Sequence, residues 1–332
     1  MEEVSQLKSA PRIWEDKELA KRFVRDMNLP IQVCTEEMFL YRLYKLDAFT
    51  EWDELKKMIK YQFGDNTQFL AHYYTVRDDI INMVLKSKEY QDFNTMPMDC
   101  FKIDSKDNIS SKTVYNQENV GKSFMSVDLK HANFQILRKI NKSIVLGANN
   151  YEDFIGNFTT LDYIKKSKYF RQVIFGQFNP SRQITIEKFF TNSIYYCLKE
   201  IIDSKKFTAI SMNNDEIIYE SNLTSYDDDK EFYAKAIETA ISNKFGLDVN
   251  VNFFYLKGYR LYSQDTGAYK FTFYVKENQI TPLTKKLVCV PLPYYMIAYK
   301  LYNGMEVNEK DQHFCYEETD CTFNESFIIE EL

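Results

Sequence analysis

Two adjacent acidic residues, Asp215 and Glu216, separate two short apolar stretches at 210–212 and 217–219. Apolar, β-branched and aromatic residues on both sides of a polar break are typical of a β-hairpin, so the acids are predicted at its tip. Two carboxylates held side by side repel each other, and a divalent cation is the usual way to neutralise them. The pattern therefore predicts a hairpin that presents carboxylates to a metal. A solvated acidic turn is the simpler alternative.

Composition favours an ordered globular protein. The chain has 332 residues, 16% of them aromatic, with only 9 glycines and 7 prolines. This is enough chain for two or three subdomains around a sizeable core. The net charge of -6 does not resemble that of a small basic nucleic-acid-binding domain, but a local basic groove is compatible with it. Such a cluster is present within eighteen positions: Lys165, Lys166, Lys168, Arg171 and Arg182.

The sequence also argues against several classes of protein. Its six cysteines include no CxxC pair and it has only three histidines, so a zinc site is not expected. The N-terminus lacks a basic region followed by an apolar run, and no stretch of about 18 apolar residues occurs. We therefore expect a soluble protein of a reducing, intracellular compartment, without a membrane partner. If a virus or phage encodes it, that compartment is the host cytoplasm.

The order of predicted elements indicates an α+β fold. Helical periodicity dominates 13–90, and a polar linker or exposed hairpin follows at 92–120. The later elements are a buried strand at 124–129, helices at 132–140, 161–179 and 183–203, the acidic hairpin, a helix entered from Asp227-Asp228-Asp229, and an alternating strand at 249–255. Pro180 is expected to stop the helix at 161–179, since proline clashes with the preceding turn. The last third predicts a hairpin between 261 and 275 and a helix at 294–302. This order favours an antiparallel sheet.

Asp128 is the second carboxylate of interest. It lies at the end of the predicted buried strand, and in an antiparallel sheet that strand end can lie beside the tip of the 210–219 hairpin. Two-metal phosphoryl transfer needs carboxylates that converge from separate chain segments. Between the acids, Arg171 and Phe175 are four residues apart on one predicted helix face, where a cation could hold phosphate oxygens and a ring could cover a base. These parts are typical of a polymerase.

Three segments resemble the motifs of family A DNA polymerases and of the related single-subunit phage-type RNA polymerases. Residues 128–133 (Asp-Leu-Lys-His-Ala-Asn) resemble motif A, 171–179 (Arg-x3-Phe-Gly-x2-Asn) motif B, and 214–220 (Asn-Asp-Glu-Ile-Ile-Tyr-Glu) motif C. The family follows motif C with an acidic turn, a helix and a Leu-Asp-Val strand, as at 247–249 here. The resemblance covers roughly 120–260 and implies a compact, divergent, viral or phage-encoded enzyme.

The resemblance implies roles for individual residues. Asp128 and Asp215 would bind two Mg²⁺ ions, for which Mn²⁺ could substitute, and Glu216 would support them. Arg171 would hold the triphosphate and Phe175 would cover the nascent base pair. The remaining substrate-binding candidates are Lys168, Gly176, Asn179, Asn133 and Asn214.

The departures from the family fall at selectivity positions. Asn133 replaces the Glu that screens the sugar in DNA polymerases, Asn214 replaces the His at the primer end, and Asn179 replaces the Tyr near the template base. Arg171 replaces a Lys and remains a phosphate ligand. The interval from Phe175 to Asp215 is only 40 residues, which implies minimal fingers.

We therefore expect a polymerase palm at 101–260 with fingers helices at 161–203. A helical, thumb-like module at 1–100 precedes it, and an α/β C-terminal extension at 261–332 is a candidate site for a protein partner.

The predicted activity is extension of a primer 3′ end on a nucleic-acid template from nucleoside triphosphates, with DNA synthesis the first choice. Primase or RNA polymerase activity and reverse transcription are alternatives. Two non-enzymatic interpretations are also open: a nucleic-acid-binding replication or assembly subunit without catalytic activity, and a structural protein that assembles through 256–332.

Overall fold

A computed structural model describes residues 14–103, 107, 109–223, 230–280, 282–317 and 319–332. The chain divides into two compact units: residues 1–71 with 291–324, and residues 72–290 with 325–332. None of the helices in these described ranges has the length and apolar character needed to cross a membrane.

The secondary structure mixes helices with antiparallel strands. The helices are α1 (Lys17–Asp26), α2 (Glu36–Lys45), α3 (Phe49–Gln62), α4 (Asn66–Lys86), α5 (Lys88–Thr95), α6 (Ala132–Ile140), α7 (Tyr151–Gly156), α8 (Asp162–Lys166), α9 (Lys168–Phe175), α10 (Pro180–Ile201), α11 (Lys230–Phe245) and α12 (Tyr295–Tyr302). The strands are β1 (Ser123–Leu129), β2 (Phe207–Met212), β3 (Glu216–Ser221), β4 (Val249–Ser263), β5 (Tyr269–Asn278), β6 (Lys285–Val288), β7 (His313–Tyr316), β8 (Thr319–Thr322) and β9 (Phe327–Glu331).

The first unit contains α1–α3, α12 and the two-stranded β7–β8 sheet. Buried aromatic side chains form its helical core. The Trp52 ring lies edge-on to Phe23 and Phe39, with ring centroids 5.3 and 5.0 Å apart. Such aromatic pairs bury a large apolar area in favourable edge-to-face geometry. The predicted helical character of 13–90 is confirmed.

The second unit contains a seven-stranded sheet. Its strand order is β2-β3-β1-β4-β5-β6, with β9 also pairing with β4, and all its pairs are antiparallel. Successive side chains of a strand point to opposite faces. The register therefore places Asp128, Glu216 and Phe254 on one face, which we call the acid face. The α+β class and the antiparallel sheet are confirmed.

The predicted helix at 161–179 is interrupted. The hydroxyl of Ser167 accepts a hydrogen bond from the Phe170 backbone N–H and starts α9 separately from α8. Pro180 was predicted to stop a helix, but it lies in the first turn of α10, where its missing N–H is not needed. Asn179 caps α10 by accepting the Arg182 backbone N–H.

The C-terminal region also differs from the prediction. The border predicted at 260/261 lies inside β4, which continues from Val249 to Ser263 and pairs with β5. Near the C-terminus, Phe327–Glu331 forms β9 against β4, because its backbone completes the sheet there, while Glu330 and Glu331 stay exposed. The helix predicted after the 227–229 acids is α11, whereas those acids lie outside the described residues.

Candidate functional site

The structure brings the three predicted acids together at one end of the acid face. Asp128 on β1 lies directly opposite Glu216 on β3. The next residue of β1, Leu129, donates its backbone N–H to the Asp215 carbonyl oxygen at 2.8 Å. Asp215 thus lies in the short connection between β2 and β3, immediately beside the end of β1. The antiparallel register produces the convergence that the sequence predicted.

Burial and repulsion from neighbouring acids raise the pKa values of Asp128 and Glu216. Burial, followed by repulsion from Asp215 and Glu216, raises the pKa of Asp128 to about 7. Burial also raises the pKa of Glu216, against the opposing effects of Lys276 and of a hydrogen bond from Ser126. A strongly perturbed pKa caused by burial and like charges is typical of functional sites.

In the part of the chain that the structure describes, no cation forms a salt bridge with the three acids. Across the described ranges, no lysine, arginine or histidine nitrogen lies within 4.0 Å of their carboxylate oxygens. Nor do three His, Cys, Asp or Glu side chains in those ranges form a group that could hold a metal ion. The donor set is nevertheless chemically suited to Mg²⁺, which binds through one or two carboxylates and completes its coordination with water and substrate phosphates.

Cations surround the acids without pairing with them. Lys168 is exposed at the start of α9, and both it and Lys276 on β5 lower the pKa of Asp128. Arg171 is half-buried, and its guanidinium carbon lies 5.5 Å from the centroid of the Tyr151 ring. Burial lowers the pKa of Arg171, while Tyr151, Glu152 and Asp128 oppose that effect. Positive charge thus reaches the acids from α9 and from β5.

A stripe of buried polar residues on α10 fixes this end of the unit. Gln183, Glu187 and Thr191 are spaced four residues apart and all are buried. Gln183 donates to the carbonyl oxygens of Phe175 and Phe178 at the end of α9. Thr191 donates its hydroxyl to the Asn214 carbonyl oxygen at 2.8 Å. The stripe therefore holds α10 against both α9 and the acidic hairpin.

Glu187 was not predicted from the sequence. Its carboxylate accepts a hydrogen bond from the Asn133 side-chain amide at 2.9 Å. Burial, with repulsion from Asp215, raises the pKa of Glu187 to about 7. The available signal was the four-residue polar spacing inside an otherwise apolar helix face. Asn133 is thus engaged with an acid near the site, and Asn214 contributes its backbone to the fixed hairpin.

Two predicted substrate contacts, Phe175 and Asn179, have structural roles in this structure, and a third, Gly176, is exposed. Phe175 is only 2% exposed and packs against the rings of Tyr151, Phe154 and Phe178, so it does not offer a face to a base. It is buried because its helix face turns toward this aromatic core. Asn179 is occupied in capping α10 and in donating to the Asn94 side chain at 2.9 Å. Gly176 is exposed just after α9.

Two residues of the predicted basic cluster, Arg182 and Lys165, interact with other groups of the protein. Arg182 donates to the Met96 carbonyl oxygen, and its guanidinium carbon lies 5.7 Å from the centroid of the Phe93 ring. Lys165 pairs with Asp162 at 3.3 Å within α8. Lys168 and Arg171 are therefore the members of the cluster that electrostatics connects to the acids.

Comparison with known proteins adds no assignment. No protein-family model matches the chain, and a search of curated proteins found no significant match. The geometry of the acid face is therefore the main indication of function.

Proposed function

We propose that this chain is a Mg²⁺-dependent nucleotidyltransferase with a polymerase-like palm, which extends the 3′ end of a nucleic-acid strand. The observation that supports this most strongly is the placement of Asp128 opposite Glu216, with Asp215 beside them and, in the described ranges, no internal cation to neutralise the three. A fold that gathers like charges in this way stabilises them with a ligand of opposite charge.

Asp128 and Asp215 would hold the metal ions, with Glu216 in support. Two bound Mg²⁺ ions would supply Lewis-acid stabilisation to the attacking and leaving oxygens of the phosphoryl transfer. The 3′ hydroxyl of the growing strand loses its proton to solvent water as its oxygen forms a bond to the α-phosphorus, and the bond between that phosphorus and the pyrophosphate leaving group breaks. Lys168 and Arg171 would bind the triphosphate and balance the charge that develops on it.

The Asn133–Glu187 pair would lie beside the sugar of the incoming nucleotide. The Asn133 amide is already committed to Glu187 in this structure, so its orientation is fixed. DNA synthesis remains our first choice, and synthesis of RNA or copying of an RNA template are the alternatives to be separated by experiment.

Primer extension tests the proposal. Wild-type protein is supplied with dNTPs and with NTPs separately, on primed templates of DNA and of RNA and on unprimed single strands. We expect Asp215→Asn to lower incorporation by at least about 1,000-fold, because the metal contributes several kcal/mol to the transition state. The matched control is Asp53→Asn, which removes an exposed acid paired with Lys57 on α3.

Unchanged incorporation by Asp215→Asn would overturn the metal assignment. If wild-type protein bound nucleic acid but incorporated neither class of nucleotide, the chain would be a non-catalytic nucleic-acid-binding subunit. Circular dichroism and thermal unfolding of each variant would exclude loss of the fold as the cause.

A further inference from the structure

A second charged feature of the acid face lies on β5 and β6. Lys276 on β5 is directly opposite Lys286 on β6 and opposite Leu256 on β4. The register puts Lys276 on the same face as Phe254, and its ammonium lies 4.1 Å from the centroid of that ring. The side chain therefore extends along the acid face from its own strand toward β1 and the acids.

Among the described residues, Lys276 and Lys286 differ from neighbouring lysines in their salt bridges. In the described ranges, no carboxylate oxygen lies within 4.0 Å of the ammonium nitrogen of Lys276 or Lys286. On the opposite face of the same strands, Lys257 and Lys285 both approach Glu277, at 3.3 and 3.7 Å. Like charges directly opposite each other across a sheet are destabilising. Lys276 and Lys286 thus form a like-charged pair on the acid face, where Glu216 and Asp128 attract Lys276 without lying within salt-bridge distance of it.

The surroundings of Lys276 favour an anion that lies along the sheet. The Tyr115 ring lies beside it, with its centroid 5.9 Å from the ammonium, and packs near Tyr274. Burial lowers the pKa of Lys276, with repulsion from Lys286, while Glu216 and Asp128 oppose that effect. A half-buried ammonium over an aromatic ring loses part of its hydration, which strengthens its attraction to an anion.

Lys276 lies on a different element from the residues that we propose bind the triphosphate. Lys168 and Arg171 approach the acids from α9, whereas Lys276 approaches from β5. If α9 binds the incoming nucleotide, then phosphates bound on the β5 side of the acids are those of the growing strand, because the 3′ end of that strand lies at the acids. We propose that Lys276, assisted by Lys286, binds the phosphodiesters of the growing strand nearest its 3′ end. This inference rests on the proposed function.

Binding measurements with the full chain test the inference without requiring catalysis. A fluorescent primer–template is titrated with protein at several salt concentrations, without nucleotides. We expect Lys276→Gln to weaken binding several-fold and to reduce the slope of log affinity against log salt by about 0.9, the value for one lost phosphate contact. Lys276→Arg should retain most of the affinity. The matched controls, Lys257→Gln and Lys285→Gln, carry the same charge change on the other face and should bind as wild type.

A neutral methylphosphonate placed at each of the last three primer linkages locates the contact. One of these substitutions should lower the affinity of wild-type protein but should not lower the affinity of Lys276→Gln any further. Equal binding by Lys276→Gln and the controls would overturn the inference. So would a raised KM for the triphosphate with an unchanged Kd for primer–template, because Lys276 would then serve the nucleotide.

The two proposals fail in distinguishable ways. Lys276-dependent binding by a wild-type chain that incorporates no nucleotide would overturn the proposed function while leaving the nucleic-acid contact in place. Incorporation by wild type together with wild-type binding by Lys276→Gln would overturn only the contact.

Discussion

The two units differ in how their buried and half-buried acids are neutralised. In the first, Asp311 is fully buried, and Lys300 approaches its carboxylate at 2.7 Å. The Tyr41 hydroxyl and the Asn308 backbone N–H donate to the same carboxylate at 2.9 and 2.8 Å. In the second, Asp128, Asp215 and Glu216 converge with no cation within salt-bridge distance in the described ranges.

We expect this difference if the Lys300–Asp311 pair is structural and the three acids bind a ligand. A buried ion pair with its hydrogen bonds satisfied is complete, so it needs nothing from solution. Acids such as Asp128 and Glu216, whose pKa values are raised by burial and by neighbouring acids, are stabilised when a cation or proton arrives. By that criterion the Lys300–Asp311 pair belongs to the architecture of its unit, and the three acids fit the metal site that we propose.

The largest loss of stability is expected when the Lys300–Asp311 pair is broken. Lys300→Met leaves Asp311 buried without its cation, which costs about 3–5 kcal/mol in the free energy of unfolding. Urea denaturation measures this loss. The control is Lys310→Met, which removes an exposed ammonium paired with Glu37 and should change stability little. A Lys300→Met protein as stable as wild type would remove the contrast between the two units.

At the acids, by contrast, removing a charge should raise the free energy of unfolding, and the size of this effect should depend on pH. The pKa of Asp128 is raised to about 7 in the folded state, so the folded protein binds more protons than the unfolded chain between about pH 4 and pH 7. Metal-free stability should therefore fall as the pH rises through that window and then level off. We expect Asp128→Asn to be more stable than wild type at pH 8 by about 1–3 kcal/mol.

Urea denaturation without divalent ions at pH 5 and pH 8 measures this effect. Glu187→Gln should behave similarly, since its pKa is also raised to about 7. The exposed acid Asp162 supplies the control variant Asp162→Asn, which should keep the wild-type pH profile. Added Mg²⁺ should raise wild-type stability at pH 8 more than that of Asp128→Asn, because a ligand stabilises the state that binds it. Identical pH profiles for wild type and Asp128→Asn would contradict this interpretation.

The smallest effect concerns the support of the site. Thr191→Val removes the donor to the Asn214 carbonyl oxygen and should cost about 1 kcal/mol of stability. Incorporation should slow by about five-fold, since the hairpin that carries Asp215 is held less firmly. Thr185→Val is the control, because that hydroxyl bonds back to Ser181 within α10. Equal rates for the two variants would show that the α10 contact does not position the acids.

Short-range patterns made several elements predictable. The buried strand before Asp128, the helix at Ala132–Ile140 and the acidic hairpin were all predicted, because each depends on apolar periodicity and local turn chemistry. The predictions failed where a residue type has two uses. Pro180 was interpreted as a helix stop but opens α10, and Phe175 was assigned to substrate but packs in the aromatic core.

The sequence by itself determined that acids would stand at a hairpin tip and at the end of a buried strand, since alternation and turn residues are local properties. Only the tertiary structure decided which side chains share the acid face: strand register put Glu216 opposite Asp128 and Lys276 opposite Lys286. Helix packing then buried Glu187 beside Asp215 and, in the described part of the chain, left the acids without an internal cation. These relations join residues far apart in the chain, so they depend on pairing and packing that no local pattern specifies.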